Sequence, residues 1–212
     1  MPSTTNAPVR RTQRERRSEA EAALLKAATR LFAARGIDGT SLADIGEEAG
    51  FSRGLVNHHF GTKAVLVERL AALSQQRLVD SLSPSVDGNA IDSLIAIVDS
   101  YLNVVRSATD GVRAFFVMWG AALPNDAALR PVFIDDDRRF RHGIEKIIAA
   151  GQQRGTITGR VNASGTAVAL VAVLRGAGAQ FLIDPQDVDL EVARDTIEEF
   201  LRVTLIPTSA QQ

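Results

Sequence analysis

The chain has 212 residues, enough for one compact domain or for a small domain fused to a larger one. Its 45% hydrophobic and 23% charged content suits a globular fold with a sizeable core, and the absence of cysteine excludes disulfides, thiolate metal sites and thiol nucleophiles. A formal net charge of -1 gives no global attraction to nucleic acid, so any such affinity has to come from local clusters of basic side chains.

Residues 1–17 mix Pro, Ser, Thr and Asn with Arg10, Arg11, Arg14, Arg16 and Arg17 and show no apolar periodicity. A disordered basic arm is expected there, either a solvated tail or a segment that reaches phosphates or a minor groove. The N-terminus carries no apolar signal core. The most apolar run, residues 167–174, is closed by Arg175 well short of the about 20 residues that span a bilayer. A cytoplasmic protein with no membrane partner is the expectation.

The spacing of Leu24, Ala28, Leu31 and Phe32 predicts a first helix over residues 18–35, ended by Gly36. A second helix starts at Ser41, whose hydroxyl can cap the first turn while Asp44 completes a capping box. Leu42, Ile45 and Ala49 form its inward stripe, Gly50 makes a tight turn, and Ser52 caps a third helix over residues 53–60. In that third helix only Val56 and Phe60 are spaced to pack inward. Arg53, Asn57 and His58 point elsewhere, and Gly54 leaves room for close approach. A helix that exposes donors and acceptors while burying so little suits DNA reading better than packing, so residues 40–63 read as a helix-turn-helix. Thr62 caps a fourth helix with Lys63 in its first turn, where the helix dipole mildly disfavours a cation and a nearby phosphate would reverse that sign.

The fourth helix runs to about residue 82, and the turn-rich stretch 83–88 is the expected domain boundary. Four or five more helices are expected, placed near residues 89–108, 111–123, 125–154, 163–183 and 188–205, the third of them bent near Pro131. The helix over 163–183 is apolar nearly all round, and 188–205 adds a stripe of Val192, Ile197, Phe200 and Leu201. An ordinary core explains both; a homodimer interface built from these two helices of each chain explains them as well. Two-fold pairing would set the reading helices roughly 34 Å apart, one DNA turn, as palindromic sites require.

The pattern Thr40-Ser41-Leu42, Ile45, Ala49-Gly50-Phe51-Ser52-Arg53-Gly54, His59-Phe60, Lys63 and Leu66 resembles the N-terminal domain of the tetracycline-repressor (TetR) family. The rest of the chain, notably residues 119–122 and 174–183, looks like the betaine-regulator-type C-terminal domain of that family. The resemblance implies an all-α fold of about nine helices: an N-terminal three-helix DNA-binding domain (18–82) and a C-terminal effector-binding and dimerisation domain (83–212). It implies a homodimeric transcriptional regulator, most often a repressor, released from a palindromic operator in double-stranded DNA by a small-molecule effector. By position, Arg53 and Gly54 start the recognition helix, Asn57, His58 and His59 continue it, and Lys63 matches the lysine that touches backbone phosphate. The family usually has a tyrosine at the position of Asn57; asparagine suits either a phosphate or adenine. In this reading the arm, Thr40, Ser52 and Lys63 fix register through phosphates, Arg53, Asn57 and His58 read base edges, and Ser41 completes the DNA-binding set.

The effector pocket is expected among Tyr101, Phe115, Met118 and Trp119, where aromatic side chains concentrate in a chain that is 5% aromatic overall. Such a cluster serves equally as plain core. Arg106 or Arg113 are candidate partners for an acidic effector. No metal or cofactor is expected: His58 and His59 diverge by about 100° on a helix, and the acids at 135–137 point three ways beside Arg138, Arg139 and Arg141, as a charge-balanced solvated face. No nucleophile elbow, phosphate loop or dinucleotide fingerprint is present, so an enzyme is not expected. The alternative function is a helical interaction module whose helix-turn-helix contacts protein instead of DNA.

Overall fold

The computed structural model describes residues 12–81, 89–124 and 129–207. Among them are nine helices and no strand: α1 (Gln13–Arg35), α2 (Leu42–Glu48), α3 (Arg53–Phe60), α4 (Lys63–Ser81), α5 (Ala90–Arg106), α6 (Asp110–Ala121), α7 (Leu129–Gln153), α8 (Ala163–Ile183) and α9 (Leu190–Leu205). The all-α expectation and the helix count hold.

Most helix starts follow from a capping side chain. Ser41, Ser52, Asn89, Asn162 and Asp189 each accept a backbone amide of the first turn that follows, and the Ser41–Asp44 capping box is complete. Thr62 does the same for α4 through the Val65 amide at 3.2 Å.

The boundaries differ from expectation most at the start of α1. The helix α1 begins at Gln13 rather than at residue 18, because Thr12 and Glu15 form a second capping box. Arg14, Arg16 and Arg17 are therefore exposed side chains on a helix, not part of an arm; Arg10 and Arg11 lie outside the described residues. Gln, Arg and Glu are good helix formers, so a cap suffices there without an apolar stripe. Pro131, expected to bend the long helix, lies near the first described residue of α7 and not in its middle. The expected boundary at 83–88 is outside the described residues.

Two apolar clusters organise the molecule. One joins α5, α7, α8 and α9 around Leu94, Val98, Ile148, Leu174 and Leu201. The other joins Leu24, Phe32, Ile45, Val56, Phe60 and Leu66 of α1–α4 to Ala114, Phe115 and Met118 of α6 and Leu129 and Phe133 of α7. Helix α1 buries a wider face than a single stripe because it packs on α2 on one side and α6 on another, while α4 reaches α6 and α7. The apolar core of the N-terminal helices thus continues without interruption into the C-terminal half.

Helices α8 and α9 each divide into two faces. Ala167, Leu170, Val171, Leu174 and Gly178 of α8 are buried, whereas Val168, Val173 and Ile183 are exposed. The stripe expected on α9 splits: Ile197 and Leu201 turn inward with Leu190 and Leu205, whereas Val192 and Phe200 turn outward with Val203. By length and composition α8 could cross a membrane, contrary to the sequence expectation, which counted only its uninterrupted apolar run. Its inner face packs on α5 and α7.

Candidate functional site

Helices α2 and α3 approach closely because of Gly46. A Cβ there would lie 2.9 Å from the Phe51 carbonyl oxygen and 3.1 Å from Val56 Cγ2. The Phe51 amide donates to the Gly46 carbonyl at 2.7 Å, and Gly50 turns the chain with φ 75°. Val56 and Phe60 anchor α3 in the core, and the remaining face of the helix is left outside.

On that face Ser52, Arg53, Gly54, Asn57 and His58 are exposed, while His59 and Lys63 are half-buried. Arg53 and Asn57 stand one turn apart on the same side, with His58 on the adjacent row. A side chain at Gly54 would meet only the Ser52 hydroxyl, at 3.7 Å, so that flank of the helix is open. Ser52 Oγ accepts the Leu55 amide at 3.3 Å, which leaves its own proton available to an external acceptor.

Thr40 and Ser41 are placed differently. Thr40 is buried, its hydroxyl donates to the Gly36 carbonyl at 2.9 Å, and its amide donates to Ile37. It fixes the corner between α1 and α2 and presents no donor at the surface. Ser41 is exposed, but its hydroxyl donates to Asp44 Oδ2 at 2.7 Å and its amide donates to the same oxygen. Those two bonds hold the Asp44 carboxyl below its ordinary value, and the positive charges of Arg35 and Lys63 lower it further.

A second constellation lies between α5, α6, α7 and α8. Tyr101, Phe115 and Trp119, three of the four residues expected to line an effector pocket, surround one guanidinium, that of Arg175 on α8. Its central carbon is 4.4 Å from the Phe115 ring centre, 5.6 Å from Trp119 and 5.9 Å from Tyr101. Arg175 is only 4% exposed. One of its terminal nitrogens donates to Asp137 Oδ1 at 2.9 Å and the other approaches the Tyr101 hydroxyl at 3.5 Å, while Trp119 Nε1 donates to Asp137 Oδ2 at 3.3 Å. Its Nε–H has no hydrogen-bond partner among the described residues. Burial pushes the Tyr101 phenol up, and the Arg175 charge partly offsets that. Met118 turns away from this group, into the cluster shared with α1–α4.

Arg106 and Arg113 do not face the aromatic group: Arg106 pairs with Glu191 at 2.8 Å and Arg113 donates to the Leu182 carbonyl. Nor are the acids at 135–137 a solvated face. Asp135 pairs with Arg138 outside, Asp136 is buried against Arg139, and Asp137 reaches Arg175. Arg175 itself was legible in one respect: a single cation in the middle of the most apolar helix requires a buried partner. Among the described residues no group of His, Asp or Glu is arranged to hold a metal ion.

The family description "Bacterial regulatory proteins, tetR family" matches residues 24–70, which span the capped turn and the exposed α3 face, and "BetI-type transcriptional repressor, C-terminal" matches residues 90–205. The chain belongs to the TetR family. The HTH-type transcriptional regulator TtgR of Pseudomonas putida is 32% identical over 202 residues, covering 86% of this chain and 89% of TtgR. The nicotine-responsive repressor HdnoR of Paenarthrobacter nicotinovorans is 29% identical over 77% of this chain and 84% of its own length. A TetR-family regulator from Rhodococcus sp. superposes with TM-score 0.72 at 26% identity, over 89% of this chain and 99% of that structure. The protein is accordingly a DNA-binding transcriptional regulator with a helix-turn-helix, and its family's members bind DNA, typically as dimers that respond to small molecules.

Proposed function

We propose that this TetR-family regulator is a homodimeric repressor that leaves a palindromic operator when a small molecule binds its C-terminal half. The exposed α3 face above buried Val56 and Phe60 is the observation that carries the DNA-reading part. Arg53, Asn57 and His58 read base edges in the major groove, and Ser52 and Lys63 hold the phosphates. Gly54 admits the backbone, and half-buried His59 supports the helix near its end. Thr40 and Ser41 belong to the frame and not to the contact set, since their hydroxyls are already committed within the protein.

The outward apolar faces of α8 and α9, with Val168, Val173, Val192, Phe200 and Val203, pair with the same faces of a second copy. The effector binds at Tyr101, Phe115 and Trp119. Phe115 also belongs to the apolar cluster of α1–α4, so a ligand there acts on the reading head through α6. Its leverage equals the ligand's preference for the DNA-incompetent state. The function is exercised in the cytoplasm, where the DNA is, and involves no catalysis.

Nuclease footprinting on the DNA flanking the protein's own gene tests this reading. A protected palindrome with two half-sites about one helical turn apart, weakening steeply with salt, is expected. Equal affinity for unrelated DNA at every salt concentration would refute it.

A further inference from the structure

We infer that the effector is a flat aromatic molecule bearing an anionic oxygen, and that Arg175 is the residue that selects it. The inference rests on the reading of Tyr101, Phe115 and Trp119 as the effector site.

Three electron-rich faces converging on one point would ordinarily suit an organic cation. Here that point is already filled from within the chain. The Arg175 guanidinium lies against Phe115 and within reach of Tyr101 and Trp119, and Asp137 neutralises it. An incoming cation would have to evict a charge that is 4% exposed and break its ion pair, or else sit against a like charge. Both are costly. An anion leaves the Arg175 charge in place and gains a bond from it, offsetting the nearness of the Asp137 carboxylate.

The geometry also supplies its anchor. A guanidinium presents N–H groups in a planar fork. The terminal nitrogens of Arg175 are engaged with Asp137 and Tyr101, whereas Nε–H is buried and unpartnered. A buried donor without an acceptor is unfavourable, and an oxygen from a ligand relieves it with a charge-assisted bond. Asp137 does not take up this position, because its first oxygen accepts from a terminal nitrogen of Arg175 and its second from the Trp119 indole. The aromatic body of the ligand then lies against the same walls that flank Arg175.

The chain's only tryptophan is Trp119, so intrinsic fluorescence of the full-length protein reports on this site alone. Benzoate and benzyltrimethylammonium, which share a ring and differ in charge, are the probes. Benzoate is expected to change the emission saturably and benzyltrimethylammonium to leave it unchanged. In Arg175→Lys, which keeps the positive charge but removes the Nε–H and the fork, benzoate should bind about tenfold more weakly or worse. Far-UV circular dichroism and thermal unfolding establish that the variant is folded. Binding of the cation and not of benzoate would overturn the anion assignment while keeping the site. Equal benzoate affinity in Arg175→Lys would overturn the role of Nε. If neither probe altered Trp119 emission, the anion assignment would fall, and so would the placement of the effector at this site.

Discussion

Single side chains on the reading face divide into those with free donors and those whose donors are committed. Arg53 belongs to the first group: it is exposed in the first turn of α3. Its replacement by Ala should cost about 1–3 kcal/mol on the operator and relax preference at one base pair, measured by competition against single-base operator variants. Equal losses on operator and random DNA would make it a phosphate contact. Lys63→Ala should instead weaken all DNA similarly and lower the slope of log affinity against log salt by about one. Asp44 is the acceptor that commits the Ser41 donors, and its contribution depends on pH. Because the folded carboxyl is held below its ordinary value by the Ser41 bonds, the stability it adds is present above that ordinary value and is lost as pH falls through the depressed one. Asp44→Asn should flatten the acid limb of a stability–pH profile in that window, followed by denaturant unfolding. Ser41, Ser52, Val56 and Phe60 were legible in the sequence because caps and i, i+4 spacing are local. The inward turn of Thr40 was not: the Gly36 carbonyl it bonds is only four residues back, but it is reached through the shape of the non-helical link after α1 and not through a cap or an apolar stripe.

Helices as units show where that legibility ends. Local chemistry located α3 and α8 to the residue and the capping box of α2, and the same chemistry at Thr12 and Glu15 would have located α1 had its lack of apolar residues not argued against a helix. What a linear reading lacks is the identity of the neighbour. The inward face of α8 contains an arginine, and its partner lies 38 residues earlier on α7. Removing Asp137 leaves that charge buried and alone. Asp137→Ala should therefore cost about 3–5 kcal/mol of stability, whereas the double replacement Arg175→Met with Asp137→Leu should be near neutral. Urea unfolding of the two variants checks the contrast. A similar loss in both would mean that the packing of the arginine stem, and not the pairing of charges, holds α8 in place.

For the whole molecule, the apolar faces left outside by α8 and α9 are the proposed seam of the assembly. Phe200 is 62% exposed and Val203 77%, a poor arrangement for a lone chain in water. A charge at that place should be tolerated by the monomer's fold and not by a two-fold pair. Phe200→Glu is expected to halve the mass measured by light scattering while leaving helix content unchanged. It should also abolish tight binding to a full palindrome and retain weak binding to a half-site. An unchanged mass would move the interface elsewhere. Both helices read as apolar in the sequence, but which positions turn outward required the structure, because Ile197 and Val192 look alike in a sequence and are opposed in space.

The unbroken apolar cluster from α1–α4 into α6 and α7 has a consequence for how such a protein can be recombined. A cut at the turn-rich stretch after α4 would strip α1 of its cover from α6, baring the side that Ala114, Phe115 and Met118 seal. The reading head is therefore not a portable module. A hybrid that grafts this head onto another sensor must carry α6 with it or rebuild that seam, and variation in operator preference is free to accumulate only on the outer face of α3, where nothing behind it has to change.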